Sequence, residues 1–319
     1  MIPLILNCFH CHCLISFTYP AMTARLKLHH LRDFVAIAQH GSLRGAARAL
    51  GLAQPALTRS LRELEHELNA SLVERHTRGV VLTEIGQRFL LRAQSAVEEV
   101  RRAGEEVAQL SGAGQGSVAL ALSTAALIAL LPAAARAFHQ QFAEARVRVI
   151  EGVYPTVEAR LLSGQLDFFI GPRPERLDAS LRLELLFANE RAVVGRQGHP
   201  LAMATSLSDL AGADWLLTGL REREEEEYAG LFAAYGLAPP ATWMRMESTL
   251  GLLSMLTGTD SLVLLPRQWT AAPMFKNVLA EIRVKEKLLA PDIVLIYRSA
   301  VPLTPLAARL VELLRPMQG

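Results

Sequence analysis

Cysteine is almost absent from this chain of 319 residues, because all three cysteines fall within the first 13 positions. The rest of the chain can therefore form no disulfide and has no cysteine nucleophile, which is typical of proteins from a reducing compartment. Long hydrophobic runs are also missing, since no apolar stretch reaches the ~20 uninterrupted residues of a membrane-spanning helix. The sequence therefore predicts a cytoplasmic protein with no membrane partner.

The sequence motifs of common enzyme classes are missing too. There is no Gly-rich phosphate loop, no nucleophile elbow and no His-Glu-x-x-His pair. The glutamate-rich run Arg221 to Glu227 is typical of a salt-bridged helix surface, because catalytic or metal-binding carboxylates converge or are buried. We therefore expect no catalytic residue, no cofactor and no enzyme activity.

Residues 1–21 differ in composition from everything that follows. They begin with the short apolar run Met1 to Leu6, which lacks the basic start of a signal peptide. They also hold Cys8, His10, Cys11, His12 and Cys13. Six adjacent positions do not easily supply four ligands in a tetrahedron, so no metal site is predicted. Met22 is a more natural start of translation, and we expect 1–21 to be a disordered leader from an over-extended gene prediction.

Residues 31–68 have the pattern of three short helices. A first apolar stripe ends at Gly41, and Ser42 occupies the N-cap position of a second helix with an alanine-rich face. Gly51 then permits a tight turn, and Pro55 lies in the first turn of a third helix, Gln54 to Leu68. The inward face of this third helix consists of Leu57, Leu61, Leu64 and Leu68. This order predicts a helix-turn-helix unit.

The outward residues of the third helix are of types that read DNA bases. Gln and Arg can pair with base edges, Thr can contact an edge or a methyl group, and Arg can equally hold a phosphate. Residues 75–83 then predict a basic hairpin between two short strands, which would form a wing. We therefore predict a winged helix-turn-helix over 22–84. The candidate DNA-binding residues are Ser42, Gln54, Pro55, Thr58, Arg59, Arg62, Arg75 and Arg78.

The charge distribution favours this interpretation over a plain helical packing unit with solvated arginines. Residues 22–83 contain nine Lys and Arg against five Asp and Glu, a net +4, whereas the whole chain is only +2. Positive charge is therefore concentrated where a polyanion would bind.

This segment resembles the N-terminal domain of the LysR-type transcriptional regulators. The matching positions are Phe34, Gly41-Ser42, Ala46-Ala47, Leu50, Gln54 to Arg59, Leu64-Glu65, Leu68, Leu72, Arg75, Leu82-Thr83 and Gly86. Asn69-Ala70 and Val73 depart from the family pattern at the base of the wing. The resemblance implies a multidomain α/β chain with a linker helix and an effector-binding half. That half would have two α/β subdomains similar to periplasmic binding proteins.

Apolar residues between 85 and 111 recur by alternating fours and threes, the period of a coiled-coil seam. They are Phe89, Ala93, Ala96, Val100, Ala103, Val107 and Leu110. A single long surface helix would show a similar pattern, but the family resemblance favours a dimerisation helix. We therefore expect a homodimer or homotetramer. Its paired recognition helices would meet an inverted-repeat site on double-stranded DNA.

A flexible hinge is predicted at 112–116, and strand-like and helical runs alternate from 117 onward. The family implies an effector-binding domain at 117–319. We place subdomain I at 117–191 and 266–319 and subdomain II at 192–265. The chain would cross between them near Glu190 to Val194 and return near Val263 to Pro266.

Small molecules bind such sheets at the carboxyl ends of strands, near helix N-termini that suit an anion. Hydroxyl residues occupy four such places, although Ser and Thr there can equally be simple N-caps. In the family these places line the effector cleft, with prolines bordering it. The candidate effector-binding residues are Ser123, Thr124, Tyr154, Thr156, Pro172, Thr218, Gly219, Ser248, Thr249 and Pro266.

These features together predict a transcriptional regulator that binds promoter DNA and responds to a small organic anion, with RNA polymerase as a further partner. Two alternatives stay open at this point. The second half could act as a solute-binding receptor whose N-terminal helices only dimerise, or the chain could be an uncharacterised enzyme.

Overall fold

The computed structural model describes residues 26–76, 79–111, 115–218 and 224–315. It divides into two compact units, Met1–Arg102 and Ala103–Gly319. Several sequence predictions fall on positions outside the described residues, namely the leader 1–21, Arg78, the hinge glycines at 112 and 114, Gly219 and the beginning of the glutamate-rich run. No described helix is both long and apolar enough to cross a lipid bilayer.

The first unit is the predicted helix-turn-helix with a wing. Helices α1 (Leu28–His40), α2 (Leu43–Leu50) and α3 (Gln54–Leu68) precede the antiparallel strands β1 (Val73–His76) and β2 (Gly79–Leu82). The long helix α4 follows at Glu84–Leu110. The core of the unit is formed by fully buried side chains of α1 and α3, including Phe34, Ile37, Leu57, Leu61 and Leu64.

The helix limits predicted from glycine, serine and proline are confirmed. Gly41 ends α1 in the left-handed conformation, at φ 60°, and Ser42 caps α2 by accepting a hydrogen bond from the Gly45 N–H at 3.1 Å. Asn69 ends α3 with φ 48°, a conformation that asparagine tolerates better than most residues. The departure of Asn69 from the family pattern therefore leaves the end of the helix intact.

The wing is held to the helices by two contacts. The Glu65 carboxylate of α3 accepts hydrogen bonds from the backbone N–H groups of Leu72 and Val73, at 2.8 and 3.3 Å. The Val80 N–H donates to the Gly41 carbonyl oxygen at 2.8 Å. Both strands of the hairpin are therefore fixed to the helices, β1 through Glu65 of α3 and β2 through the end of α1.

The second unit contains a mixed sheet in the order β10-β6-β11-β5-β3-β4, with β9 also paired to β6. Strands β3, β4 and β5 are parallel to one another, and β11 runs antiparallel to β5 and β6. A separate parallel pair is formed by β7 and β8. The strands are β3 Gly116–Leu122, β4 Ala145–Glu151, β5 Phe168–Pro172, β6 Leu181–Arg196, β7 Trp215–Thr218, β8 Thr242–Met246, β9 Val263–Pro266, β10 Leu279–Ile282 and β11 Leu289–Arg298.

Helices pack against these strands through four hydrophobic cores, which fall into two groups. The helices are α5 Thr124–Gln141, α6 Tyr154–Leu162, α7 Glu224–Ala233, α8 Thr249–Gly258, α9 Gln268–Ala271 and α10 Pro305–Leu314. One group of cores packs α5, α6 and α10 against β3, β5 and β11. The other group packs α7, α8 and α9 around β7 and β9. We call the first lobe I (115–190 and 289–315) and the second lobe II (191–288).

Strand β6 passes from one lobe to the other. Its first part, Leu181 to Glu190, pairs with β11, and its last part, Arg191 to Arg196, pairs with β9 and β10. The first crossing therefore lies where the sequence predicted it, near Glu190. Strand β11 provides the return, beginning at Leu289.

The predicted return near Val263 to Pro266 is wrong, and so is the subdomain limit at 266. That segment is β9, which pairs with β6 inside lobe II. Residues 267–288 also belong to lobe II, because Trp269, Phe275 and Ile282 are buried in its cores. The apolar run correctly indicated a strand, but its hydrophobicity carries no information on which neighbour it pairs with.

Candidate nucleic-acid interface and effector cleft

The first turns of α3 present a polar outer surface. Gln54, Pro55, Arg59 and Arg62 are exposed and Thr58 is half-buried. On the opposite side, Leu57, Leu61 and Leu64 are fully buried and Leu68 is partly buried. Positions 54, 58 and 62 are four residues apart, so their side chains form one row along the helix. Neither Arg59 nor Arg62 forms an ion pair with any residue that the structure describes. Both guanidinium groups are therefore available to an external partner.

Two other described residues that were predicted to bind DNA, Ser42 and Arg75, lie outside α3. The Ser42 oxygen is engaged as the cap of α2 and is half-buried. Arg75 is exposed on β1, opposite Val80. Gly79 opens β2 with φ 141°, and a Cβ at this position would lie 2.5 Å from the Gly41 carbonyl oxygen. The wing therefore requires glycine at position 79 to approach α1 as closely as it does.

Helix α4 has two parts that differ in burial. Phe89 packs against Phe34, with ring centroids 5.6 Å apart, and Ala93 is 1% exposed in the core of the first unit. Ala96 is half-buried and Ala103 is exposed. Val100, Val107 and Leu110 are 53%, 65% and 73% exposed. The predicted seam is thus divided, because Ala93 already packs within its own chain and only the later residues are open to a partner.

A cleft of about 730 Å³ lies between lobe I and lobe II. The carboxyl ends of the strands and the first residues of α5 and α8 meet there, as the strand rule predicts. Seven of the ten residues predicted to bind an effector line it: Ser123, Thr124, Pro172, Thr218, Ser248, Thr249 and Pro266. Ser123 and Ser248 also cap α5 and α8, accepting hydrogen bonds from Ala126 N–H and Gly251 N–H.

Tyr154 and Thr156 are not among the residues that line the cleft. Tyr154 is 5% exposed and packs beside Phe169, and its hydroxyl donates to the Glu158 carboxylate at 2.6 Å. Burial, together with this hydrogen bond, raises the pKa of the tyrosine hydroxyl. The Thr156 hydroxyl donates to the Val153 carbonyl at 2.8 Å. The first turn of α6 therefore buries Tyr154 in the core of lobe I and engages the Thr156 hydroxyl in a hydrogen bond at the start of the helix. The spacing between strand and helix in the sequence did not reveal this.

Several charged and amide residues of the cleft were missed by the sequence analysis. Glu151, the last residue of β4, accepts hydrogen bonds from the Thr124 hydroxyl at 2.5 Å and from the Thr249 hydroxyl at 3.0 Å. Arg191 forms an ion pair with Glu227 at 2.6 Å. Asn189 and Glu247 complete the polar lining. Glu151 and Glu247 lie at the carboxyl ends of β4 and β8, which was a usable signal in the sequence. Asn189 and Arg191 lie within β6, where no local pattern marks them.

The part of the chain that the structure describes contains no group of three or more His, Cys, Asp or Glu side chains arranged to hold a metal ion. The Cys8 to Cys13 cluster lies outside the described residues.

The sequence and the structure both match known regulators. Residues 28–87 match the family model "Bacterial regulatory helix-turn-helix protein, lysR family", and residues 111–318 match "LysR substrate binding domain". The HTH-type transcriptional regulator GbpR of Azospirillum brasilense is 31% identical over 250 residues, which cover 77% of this chain and 73% of the relative.

Among solved structures, the crystal structure of CbnR, a LysR family transcriptional regulator, aligns with a TM-score of 0.66 and 22% identity, over 91% of this chain and 98% of CbnR. The structure of full-length CbnR complexed with its target DNA aligns with a TM-score of 0.51 and 23% identity, over 91% and 99%. These likenesses show a shared fold.

The resemblance found in the helix-turn-helix residues is confirmed, and the fold class with it. An N-terminal helix-turn-helix domain precedes a LysR substrate-binding domain in this chain. The chain belongs to the LysR family of ligand-responsive, DNA-binding transcriptional regulators.

Proposed function

We propose that this regulator binds an inverted-repeat promoter site as a homodimer or homotetramer, and that a small organic effector in the cleft between lobes I and II controls that binding. The observation that carries the proposal is the exposed polar surface of α3, where Arg59 and Arg62 have no ion-pair partner among the described residues. Gln54, Thr58 and Arg59 would reach base edges, and Arg62 and Arg75 would hold phosphates.

The pairing of two chains would use the later part of α4. Val100, Val107 and Leu110 present an open apolar strip there, and two such helices would bury it. Two recognition helices joined in this way would enter successive major grooves about one helical turn apart. CbnR, which shares the fold, has been solved in complex with its target DNA, and this supports DNA binding by the present chain. Contact with RNA polymerase stays a prediction from the sequence.

The response to an effector would come from closure of the cleft. A ligand that contacts both lobes favours the closed arrangement in proportion to its differential affinity for the two states. The changed angle between lobes would then alter the spacing of the DNA-binding modules in the oligomer. The lining does not favour the anionic effector that the sequence predicted, because Glu151 and Glu247 add two carboxylates. Arg191, the one lysine or arginine that lines the cleft among the residues that the structure describes, forms an ion pair with Glu227.

A footprinting experiment tests the DNA-binding half of this proposal. The protein would first be used to enrich duplexes from a random-sequence pool, and its footprint would then be measured on the enriched sequence. We expect protection of two inverted half-sites about 10 base pairs apart, and affinity that falls with rising salt. Arg59→Ala is expected to weaken binding by about 1–3 kcal/mol if the side chain reads a base.

The matched control is Arg136→Ala, because Arg136 is equally exposed but lies on α5 in the second unit. This variant removes the same charge and should leave the footprint unchanged. Absence of any protected base at low ionic strength, with the protein folded, would contradict the proposal. Equal affinities of the two variants would remove Arg59 from the DNA contacts.

A further inference from the structure

The cleft holds one position where two helix N-termini meet. Thr124 is the first residue of α5 in lobe I, and Thr249 is the first residue of α8 in lobe II. Both helices are long enough to concentrate partial positive charge at their first turn. The two hydroxyls and the two helix ends together form a position suited to an anionic oxygen.

The chain itself already fills this position. Oε1 of Glu151 accepts a hydrogen bond from the Thr124 hydroxyl at 2.5 Å and another from the Thr249 hydroxyl at 3.0 Å. Glu151 and Thr124 belong to lobe I, whereas Thr249 belongs to lobe II. The Glu151 carboxylate is therefore both the occupant of the anion position and a hydrogen-bonded bridge between the lobes.

A second observation concerns Asn189, which also lines the cleft. Its side chain is 5% exposed, and its Nδ2 donates to the Pro291 carbonyl at 3.4 Å. A carbonyl oxygen can only accept, so this contact fixes which end of the amide is the nitrogen. The other end, Oδ1, is buried and has no hydrogen-bond partner among the described residues. An unpaired buried acceptor of this kind is costly unless a donor is supplied.

The other charged residues that line the cleft also favour a ligand that donates hydrogen bonds. The Glu247 carboxylate is exposed at the cleft, immediately before the cap of α8. The guanidinium of Arg191 is engaged by Glu227 at 2.6 Å. Among the described lining residues, the Glu247 carboxylate is therefore open to a ligand, whereas the positive charge of Arg191 is already paired with the Glu227 carboxylate.

We propose that Glu151 is a built-in anion of the cleft, and that the effector binds through hydrogen-bond donors, hydroxyl or ammonium groups, which it presents to Glu151, Glu247 and Asn189. This inference rests on the proposed effector response of the cleft. It assigns the chemical class of the ligand and excludes a carboxylate seated between α5 and α8.

Removal of the built-in anion gives a direct test. Glu151→Ala should open the anion position, so that acetate binds the full-length variant about tenfold more tightly than the wild type, as a charge-assisted hydrogen bond would provide. Binding would be measured as the rise in melting temperature with acetate, against chloride at the same ionic strength. Glu144→Ala is the matched control, because Glu144 is an exposed glutamate just before β4 and does not line the cleft. Equal acetate responses in all three proteins would overturn the proposal.

A second measurement uses the wild-type protein alone, so that it does not depend on the folding of a variant. Matched probes would be compared by thermal melting: ribose with ribonate, putrescine with succinate, and benzylamine with benzoate. In each pair, we expect the hydroxyl or ammonium compound to raise the melting temperature more than the matched acid does. A larger rise in melting temperature with the acids, or no rise with any probe, would contradict the proposal. Neither result depends on DNA, so footprinting of the same samples shows separately whether the DNA-binding function holds.

Discussion

Single side chains set the geometry of the DNA-binding unit. Ser42 illustrates this, because its oxygen accepts the Gly45 N–H at 3.1 Å and thereby fixes the start of α2 directly after the left-handed Gly41. The sequence analysis named Ser42 both as a cap and as a DNA contact. The structure accounts for the first role, and the second stays a prediction.

Loss of this cap should lower stability by a predictable amount. Ser42→Ala removes the acceptor for a helix N–H and is expected to cost about 1 kcal/mol of unfolding free energy. Ser42→Asn is the control, since asparagine caps helices as well as serine does. Urea denaturation of the two variants measures the difference. Equal destabilisation by alanine and asparagine would show that the cap is not the source of the effect.

The residue scale also shows where prediction from sequence succeeded and where it failed. Ser123 was placed in the cleft because it follows a strand and precedes a helix, and Ser248 because it opens a helix, and both line the cleft. Tyr154 has the same position in the pattern, yet it packs on Phe169. The spacing fixes where a helix starts, but the rotation of that helix against the sheet depends on packing that no local pattern encodes.

Whole elements were predicted best where glycine and proline mark their limits. Helix α3 begins at Gln54 and ends at Leu68, as expected, because Pro55 suits a first turn and four leucines define its buried side. Strand β9 was recognised as a strand but assigned to the wrong connection. Pairing partners are decided by contacts far apart in the chain, so the return at β11 was not predictable from hydrophobicity.

The wing gives a prediction at the scale of an element. Gly79→Ala would place a Cβ 2.5 Å from the Gly41 carbonyl oxygen, at a φ of 141° that alanine rarely adopts. We expect a loss of about 1–3 kcal/mol in unfolding free energy. The contact from Val80 to Gly41 should open at the same time, which amide hydrogen exchange at Val80 would detect.

Gly104→Ala is the matched control for this change. Gly104 lies inside α4, and nothing lies within 4 Å of the Cβ that would be added. Alanine is the better helix former, so this variant should gain about 0.5–1 kcal/mol. The prediction for the wing fails if both alanine variants change stability in the same direction.

At the scale of the whole molecule, the open strip on α4 bears on assembly. Val107 is 65% exposed in the single chain. Val107→Asp would place a charge in the proposed dimer contact and should raise the dissociation constant of the oligomer about tenfold or more, because an unpaired charge is costly to bury. Analytical ultracentrifugation measures this constant. Met203→Asp, at a position that is 90% exposed in lobe II, is the control.

Helical content should be equal in both variants, since each replaces an exposed side chain. Equal dissociation constants for the two variants would show that the α4 strip does not hold the chains together. In that case the paired arrangement of recognition helices would need another contact.

Strand β6 has a consequence for how a ligand acts. The same continuous strand belongs to both lobes, so a change in the angle between the lobes requires a change of backbone conformation near Glu190 and Arg191. A second change is required in β11, where the pairing register shifts between Ala290 and Ile293. Both segments also line the cleft, through Arg191, Ala290 and Ile293. A bound ligand would therefore contact both crossing segments directly. Its width at that place would determine how far lobes I and II rotate toward each other.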